Sequence, residues 1–398
     1  MSEHPFRWLI LFGCWSLYFV FGLSIARLAP LVVTIVAELQ LTSAQMGTVL
    51  GAWQFIYIFA AIPVGLTLHK FGPGRLLLLA GAIIVMSGFL RAEAQSYAGL
   101  LVTVALFGLG GPIISAGIPQ VVSRWFTGRE RGLAMGIYIT GPAVAGVVAY
   151  SSTQSVLLPW LDNDWRAVLR VWAWAAIAAT LLWAAIWLLS RRHVHTGEAS
   201  ASTVFDKRQL RDILHSRDVL ILLTIGAGIF TIDHGLRNWI PEIVRAAGWT
   251  PAEAGYLAVI PVIMGIISAL TLPRLAIPQR RLKVLQLLFG CAVAGCLLIS
   301  TGATVPVIAG LAAAGLASGA MMTVTILTLI ELPAVGPERS GLAGGLYFSA
   351  AEIGGVGGPV LIGVMRDATG GFQVALLVLA ALGCALIALS RTLDGASR

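Results

Sequence analysis

Charge is what this sequence has least of. Only 11% of its 398 residues are Asp, Glu, Lys or Arg, whereas a soluble domain carries about a quarter, so water cannot be the main solvent of this surface. Cysteine is almost as scarce. The four residues Cys14, Cys291, Cys296 and Cys384 all lie in apolar stretches, with no CxxC pair and no histidine at ligand spacing, which excludes a disulfide framework and a zinc site. HExxH and GxSxG do not occur, so neither a metalloprotease nor a hydrolase nucleophile elbow is expected. No polar stretch is long enough for a soluble sensor or catalytic domain. What is present instead is apolar: 58% of residues are hydrophobic, 45 are glycine, and the mean hydropathy is +0.89. This composition belongs to a chain solvated by lipid.

At about 20 residues per crossing, the length accommodates twelve helices. Cuts at charge and turn clusters place them at 8–36, 43–68, 75–92, 97–123, 132–155 and 167–189, then at 218–246, 252–272, 283–301, 304–330, 341–365 and 371–391. The expected organisation is an N-terminal bundle over 1–189, a polar linker over 190–217, and a C-terminal bundle over 218–398. MSEHPFRW runs into an apolar stretch too long for a signal-peptide core and offers no small-residue cleavage site, so the first span should be retained. A formal charge of +8 could suggest nucleic acid, but the Lys and Arg never gather on one face. They divide by topology. With the N-terminus inside, 19 fall in cytoplasmic segments and five (Arg91, Arg166, Arg170, Arg245 and Arg366) in outer ones, leaving Arg27 and Arg237 inside helices. By the positive-inside rule both termini are cytoplasmic. The preference for Arg over Lys suggests a bacterial inner membrane.

The two halves repeat. LTSAQMG at 41–47 parallels WTPAEAG at 249–255, and GLAMGIY at 132–138 parallels GLAGGLY at 341–347, each of the latter pair following an ER dipeptide. Arg27-x-x-Pro30 and Arg237-x-x-x-Pro241 stand at nearly the same offset. Six intervening spans give both copies one topology, related by an axis along the membrane normal, so a central path between two six-helix bundles is expected. The chain resembles the major facilitator superfamily along essentially its whole length. GLTLHKFGPGR at 65–75 is similar to the superfamily's loop signature, with Lys70, Gly72 and Arg75 in place and His69 where the acidic residue normally stands. SRWFTGRERGLAMG, NWIPEIVRAAGWTPAEAG and GVMRDATGGF also resemble superfamily junctions. Within the superfamily, the sequence is most similar to the cyanate and 2-nitroimidazole permease group and neighbouring organic-anion carriers. The resemblance implies an all-α integral membrane fold of twelve helices in two pseudo-symmetric bundles, with His69, Lys70, Gly72 and Arg75 as a gating loop.

A charge at bilayer depth costs about 2.5–3.5 kcal/mol on insertion scales, so each one needs a reason. Arg27 lies in span 1, and Asp233, His234 and Arg237 lie in span 7; the spacing of four puts Asp233 and Arg237 on one helix face. Two arginines and one aspartate leave a net +1, suited to a monoanion held by a guanidinium fork. The alternative is that Asp233 and Arg237 neutralise each other while Arg27 reaches for the interface. Trp53, Gln54 and Tyr57 on span 2, Gln120 on span 4, Tyr138 on span 5, Asn238 and Trp239 on span 7 and Tyr347 on span 11 are the candidates to complete the substrate site. Asp233 and Glu352 are the candidates for carrying a proton. Glu331 suits a gate or cap, and the glycine clusters at 108–111 and 354–358 suit close helix packing.

The expected function is secondary transport of a small organic or inorganic anion by alternating access, with a coupling proton. The rival is drug or metabolite efflux by proton antiport, which usually brings an acid in span 1 and an Arg within span 4. This chain has neither. No enzyme activity, cofactor, metal or nucleic-acid partner is expected, and the protein should be a monomer in the bilayer.

Overall fold

The structure is a computed structural model and describes residues 6–190 and 207–393. Both chain ends and the linker arginines Arg191 and Arg192 lie outside the described residues. Helix dominates, and no strand occurs among the described residues. Among the described residues eleven helices are long and apolar enough to cross a membrane, and a twelfth, Ser43–Phe71, is 29 residues long. The chain is a multi-pass membrane protein. Lipid offers no partners for backbone N–H and C=O groups, so each crossing satisfies its own within a helix.

The first six helices are α1 (Phe6–Glu38), α2 (Ser43–Phe71), α3 (Pro73–Ala92), α4 (Tyr97–Trp125), α5 (Gly128–Trp160) and α6 (Trp165–Ser190). The second six are α7 (Arg217–Ala246), α8 (Pro251–Leu275), α9 (Pro278–Ser300), α10 (Thr304–Ile330), α11 (Gly336–Thr369) and α12 (Gln373–Ser390). A short helix, Lys207–Leu214, precedes α7. The observed helices match the expected spans to within a few residues, with α5, α9 and α11 each beginning four or five residues earlier. Several are interrupted at proline, which supplies no N–H to the preceding turn. In α1 a 3-10 turn at Ala29–Leu31 contains Pro30. In α4 the break at residues 108–110 comes just before Pro112, and in α5 the break at 139–140 comes just before Pro142. A π turn, Thr153–Leu157, also interrupts α5.

Two compact units result, one of Met1–Gln40 with Ala52–Thr203, the other of Leu41–Gly51 with Val204–Arg398. The start of α2 thus packs with the second unit. There Asp367, near the end of α11, accepts from the backbone N–H groups of Ser43 at 2.9 Å and Ala44 at 2.7 Å, donors that a helix N-terminus otherwise leaves unpaired.

Inside each unit the helix pairing repeats. In the first, α1 packs on α5, and α3 on α4 and α6; in the second, α7 packs on α11, and α9 on α10 and α12. The sequence repeat is therefore also a repeat of helix contacts. The α7–α11 seam depends on two glycines: a Cβ at Gly354 would overlap the carbonyl oxygen of Ala227, and one at Gly358 that of Thr231. Such contacts bring backbones together where lipid supplies no hydrophobic drive.

Arginine–carboxylate pairs close the helix ends. In the first unit Arg7 meets Glu130 at 2.8 Å, Arg170 meets Glu93 at 2.8 Å, and Arg166 binds Glu38, which also accepts from Trp165 Nε1 at 2.6 Å. In the second, Arg281 grips Glu331 with both terminal nitrogens, at 2.6 and 2.9 Å. Arg339 approaches Asp212 of the short helix at 3.6 Å.

Candidate functional site

The charged cluster of the second unit is built on α7. One helical turn separates Asp233 from Arg237, and the expected pair forms: Arg237 Nη2 lies 3.3 Å from Asp233 Oδ2. The hydroxyl of Ser318, on α10, donates to the same carboxylate, while His234 Nε2 stands 3.9 Å from it and the imidazole stacks on Phe230 at 5.0 Å. Asp233 is enclosed, its side chain 16% exposed, whereas that of Arg237 is 51% exposed. The carboxylate therefore braces an arginine whose side chain is half exposed. On α11, Glu352 is buried, within electrostatic reach of Asp233, and its Oε2 has no hydrogen-bond partner among the described residues.

Other span 7 and span 11 candidates take different places. Asn238 donates to the carbonyl of His234 in its own helix at 2.8 Å, and Trp239 is wholly enclosed, its indole N–H donating to Pro359 O of α11 at 3.0 Å. Tyr347 is equally buried, its ring lying over Gly226. These two rings fill the α7–α11 seam.

In the first unit an aromatic cluster gathers around Trp53. Its ring meets Phe21, Tyr57 and Phe107 edge-on, with centroids 5.7–6.1 Å apart, an arrangement favoured by the ring quadrupoles. Tyr57 shares a 2.8 Å hydrogen bond with Ser115. Tyr138 is buried, with Tyr18 5.5 Å away. Gln54 is fully buried and Gln120 partly so. Between α2 and α3 the turn is a single residue, Gly72, at φ 77°, a conformation that glycine adopts without strain. Lys70 and Arg75 flank it, both exposed. The side chain of His69 lies outside the described part.

Arg27 belongs to the first unit and is 1% exposed. Its neighbour is a residue assigned above to an outer segment: Arg91 sits in the last turn of α3 and is also 1% exposed. The expectation of only two arginines inside helices is thus corrected. Arg91 ends an apolar run, which reads as a loop charge; only the fold shows that α1 and α4 close over it. Ser318 was likewise illegible, because a serine between alanine and glycine reads as a packing residue. Among the described residues no group of His, Cys, Asp and Glu could hold a metal ion.

Comparison with known proteins adds three findings. The Major Facilitator Superfamily profile matches residues 14–359. The chain is 26% identical to the "Probable galactarate/D-glucarate transporter GudP" of Bacillus subtilis (strain 168), covering 96% of this chain and 90% of that one, and 24% identical to a quinolone resistance transporter of Acinetobacter baumannii, covering 86% and 83%. Among solved structures, that of the nucleoside transporter NupG superposes with a TM-score of 0.80 at 11% identity, over 98% of this chain and 99% of that one, a likeness of fold.

Proposed function

The chain belongs to the Major Facilitator Superfamily and is a secondary transporter, and from that premise we propose that its cargo is a small organic or inorganic anion, carried by alternating access together with a proton. The observation that carries this reading is Arg237, a half-exposed arginine at membrane depth whose guanidinium fork is held in place by an enclosed carboxylate. Such a fork binds a carboxylate through two parallel hydrogen bonds, and the brace lowers the entropy lost when it does so. The sugar-acid relative supports the same chemistry. Arg237 takes the charged group of the solute, with Asn238 one residue on along α7, while Trp239 and Tyr347 hold α7 and α11 together. Within the first unit, Trp53, Gln54, Tyr57, Gln120 and Tyr138 are the candidates to offer rings and amides to an uncharged body, whereas Arg27, 1% exposed, is too enclosed to meet the solute. Asp233 and Glu352 are the proton carriers, because a proton on either relieves their repulsion. The turn at His69, Lys70, Gly72 and Arg75 acts as a gate. The two bundles are those of 1–189 and 218–398, in a bacterial inner membrane with both termini cytoplasmic, and the protein works as a monomer.

Uptake into proteoliposomes tests the cargo. With galactarate, glucarate, galactonate and simple monocarboxylates offered under an imposed proton gradient, at least one should accumulate. Arg237→Lys keeps the charge but loses the fork, and should weaken apparent affinity at least tenfold, about 1.4 kcal/mol. Wild-type affinity in that variant would remove the main support for an anion. The second reading, efflux by proton antiport, is favoured by the quinolone resistance relative; it predicts that vesicles of inverted orientation take up aromatic drugs and ignore sugar acids. Orientation is tested by an impermeant maleimide, which should label Asn163→Cys from outside and His215→Cys only after permeabilisation.

A further inference from the structure

Among the described residues, the first unit buries two cations and no anion. Arg27 and Arg91 are each 1% exposed and close enough to repel one another electrostatically. Arg91 is fixed on three sides: Nε donates to Ser87 Oγ at 3.1 Å, Nη1 donates to Ser24 O at 2.9 Å, and the guanidinium lies 5.1 Å over the Phe107 ring. Ser87 in turn donates to Thr103 O at 2.7 Å, so its oxygen is committed. Arg27 crosses α3 at Gly88, where an added Cβ would stand 3.2 Å from Nη1 and 3.0 Å from the Ala173 side chain of α6. Three nitrogens remain: Arg27 Nε, Arg27 Nη2 and Arg91 Nη2 are buried without a hydrogen-bond partner among the described residues. Among the described residues no carboxylate compensates them. Glu93, two residues beyond Arg91, is bound by Arg170, and Glu38 by Arg166 and Trp165.

Uncompensated buried charge is strongly destabilising, and two like charges add repulsion. Contact with water would relieve part of both costs but would bring no opposite charge. Both fall if a negative charge lies between them. We propose that Arg27 and Arg91 form an enclosed site for a small inorganic monoanion, of halide or nitrate size, resident within the first unit and separate from the transported solute. Its size follows from enclosure: both side chains are 1% exposed, with Ser24 of α1, Ser87 and Gly88 of α3 and Phe107 of α4 packed against them, which suits a small ion over a sugar acid. A monoanion also suits the pair because Arg91 already spends two of its donors on the protein.

The site is tested on the purified full-length protein in detergent, with sulfate holding ionic strength constant while chloride, bromide, nitrate or formate is varied. Wild-type melting temperature should rise saturably with the small monoanions, and 35Cl line broadening should appear and be reversed by nitrate. Arg27→Gln and Arg91→Gln should each move the chloride midpoint at least tenfold, whereas Arg237→Lys should leave it in place. Should either glutamine variant fail to fold, the wild-type titration and the 35Cl signal still decide. A wild type indifferent to anion identity, with no chloride broadening, overturns the proposal and leaves water between the arginines. A chloride response abolished by Arg237→Lys and kept by Arg91→Gln also overturns it, by moving the anion to the second unit. Loss of sugar-acid transport with the chloride response intact would count against the proposed cargo alone.

Discussion

The two units use the same helix pairings but treat buried charge in opposite ways. In the second, the buried aspartate has a cation beside it: Asp233 lies next to Arg237, Ser318 and His234, and the like-charged Glu352 stands within its electrostatic reach. In the first, Arg27 and Arg91 lie together with no acid beside them among the described residues. The sequence repeat pairs Arg27 with Arg237, yet one is 1% exposed and the other has half its side-chain surface open. A repeat fixes backbone position more firmly than it fixes the surroundings of a side chain. A self-neutralising cluster can change protonation and ligand at small cost, which suits turnover. A cation pair that needs an outside anion is suited to holding one.

Breaking the second unit's balance should have the largest effect. Asp233→Asn keeps the shape and the Ser318 contact but removes the charge that braces Arg237 and the carboxylate proposed to carry a proton. Gradient-driven accumulation should be abolished, while exchange of internal for external solute persists. The check is to measure both in the same proteoliposomes. Accumulation at wild-type level would move the proton to Glu352 or show transport without proton coupling; loss of exchange as well would make Asp233 part of the solute site.

A smaller, opposite-signed effect should mark the first unit. Arg27→Met removes one of two repelling charges and replaces it by an apolar chain of similar reach. Replacing buried ionic groups by hydrophobic ones is often neutral or stabilising by about 1–4 kcal/mol. In chloride-free sulfate the variant should melt at or above the wild-type temperature, and in chloride below it. Arg237→Met, by stranding Asp233, should melt lower in both media. If the two variants respond alike to chloride, the contrast between the units fails.

Much of this was legible in the sequence, for reasons that also mark where legibility ended. Twelve spans follow from length and hydropathy, because lipid permits few alternatives to a helix. The Asp233–Arg237 pair follows from helical spacing, and the tight seam at Gly354 and Gly358 from small-residue packing. Side-chain surroundings were less accessible. A helix apolar all round does not reveal which face meets a neighbour, so Trp239 and Tyr347 read as path-facing while both fill the α7–α11 seam. Arg91 was counted with the outer loops because charge at the end of an apolar run looks the same whether a neighbouring helix covers it or not.

The smallest effect separates the ion pairs at the helix ends. Glu331 holds two hydrogen bonds from Arg281, whose side chain is only 8% exposed. Arg170 and Glu93 are 41% and 64% exposed. The hydrogen bonds from Arg281 hold the Glu331 carboxyl below its usual value of 4.5. A carboxylate with a depressed folded-state pKa contributes stability that is present above the unfolded value and is lost as pH falls through the folded one. Glu331 is itself 49% exposed, so solvent screening limits the contribution to about 1 kcal/mol or less. Glu331→Gln should therefore lower the melting temperature by a few degrees at pH 7, and the difference from wild type should shrink below about pH 4.5. Glu93→Gln should change it less at every pH, since its arginine is already partly hydrated. Equal losses at pH 7 would mean that burial of Arg281 adds nothing. A Glu331→Gln difference that survives acidification would assign the effect to the amide's shape, with charge playing no part.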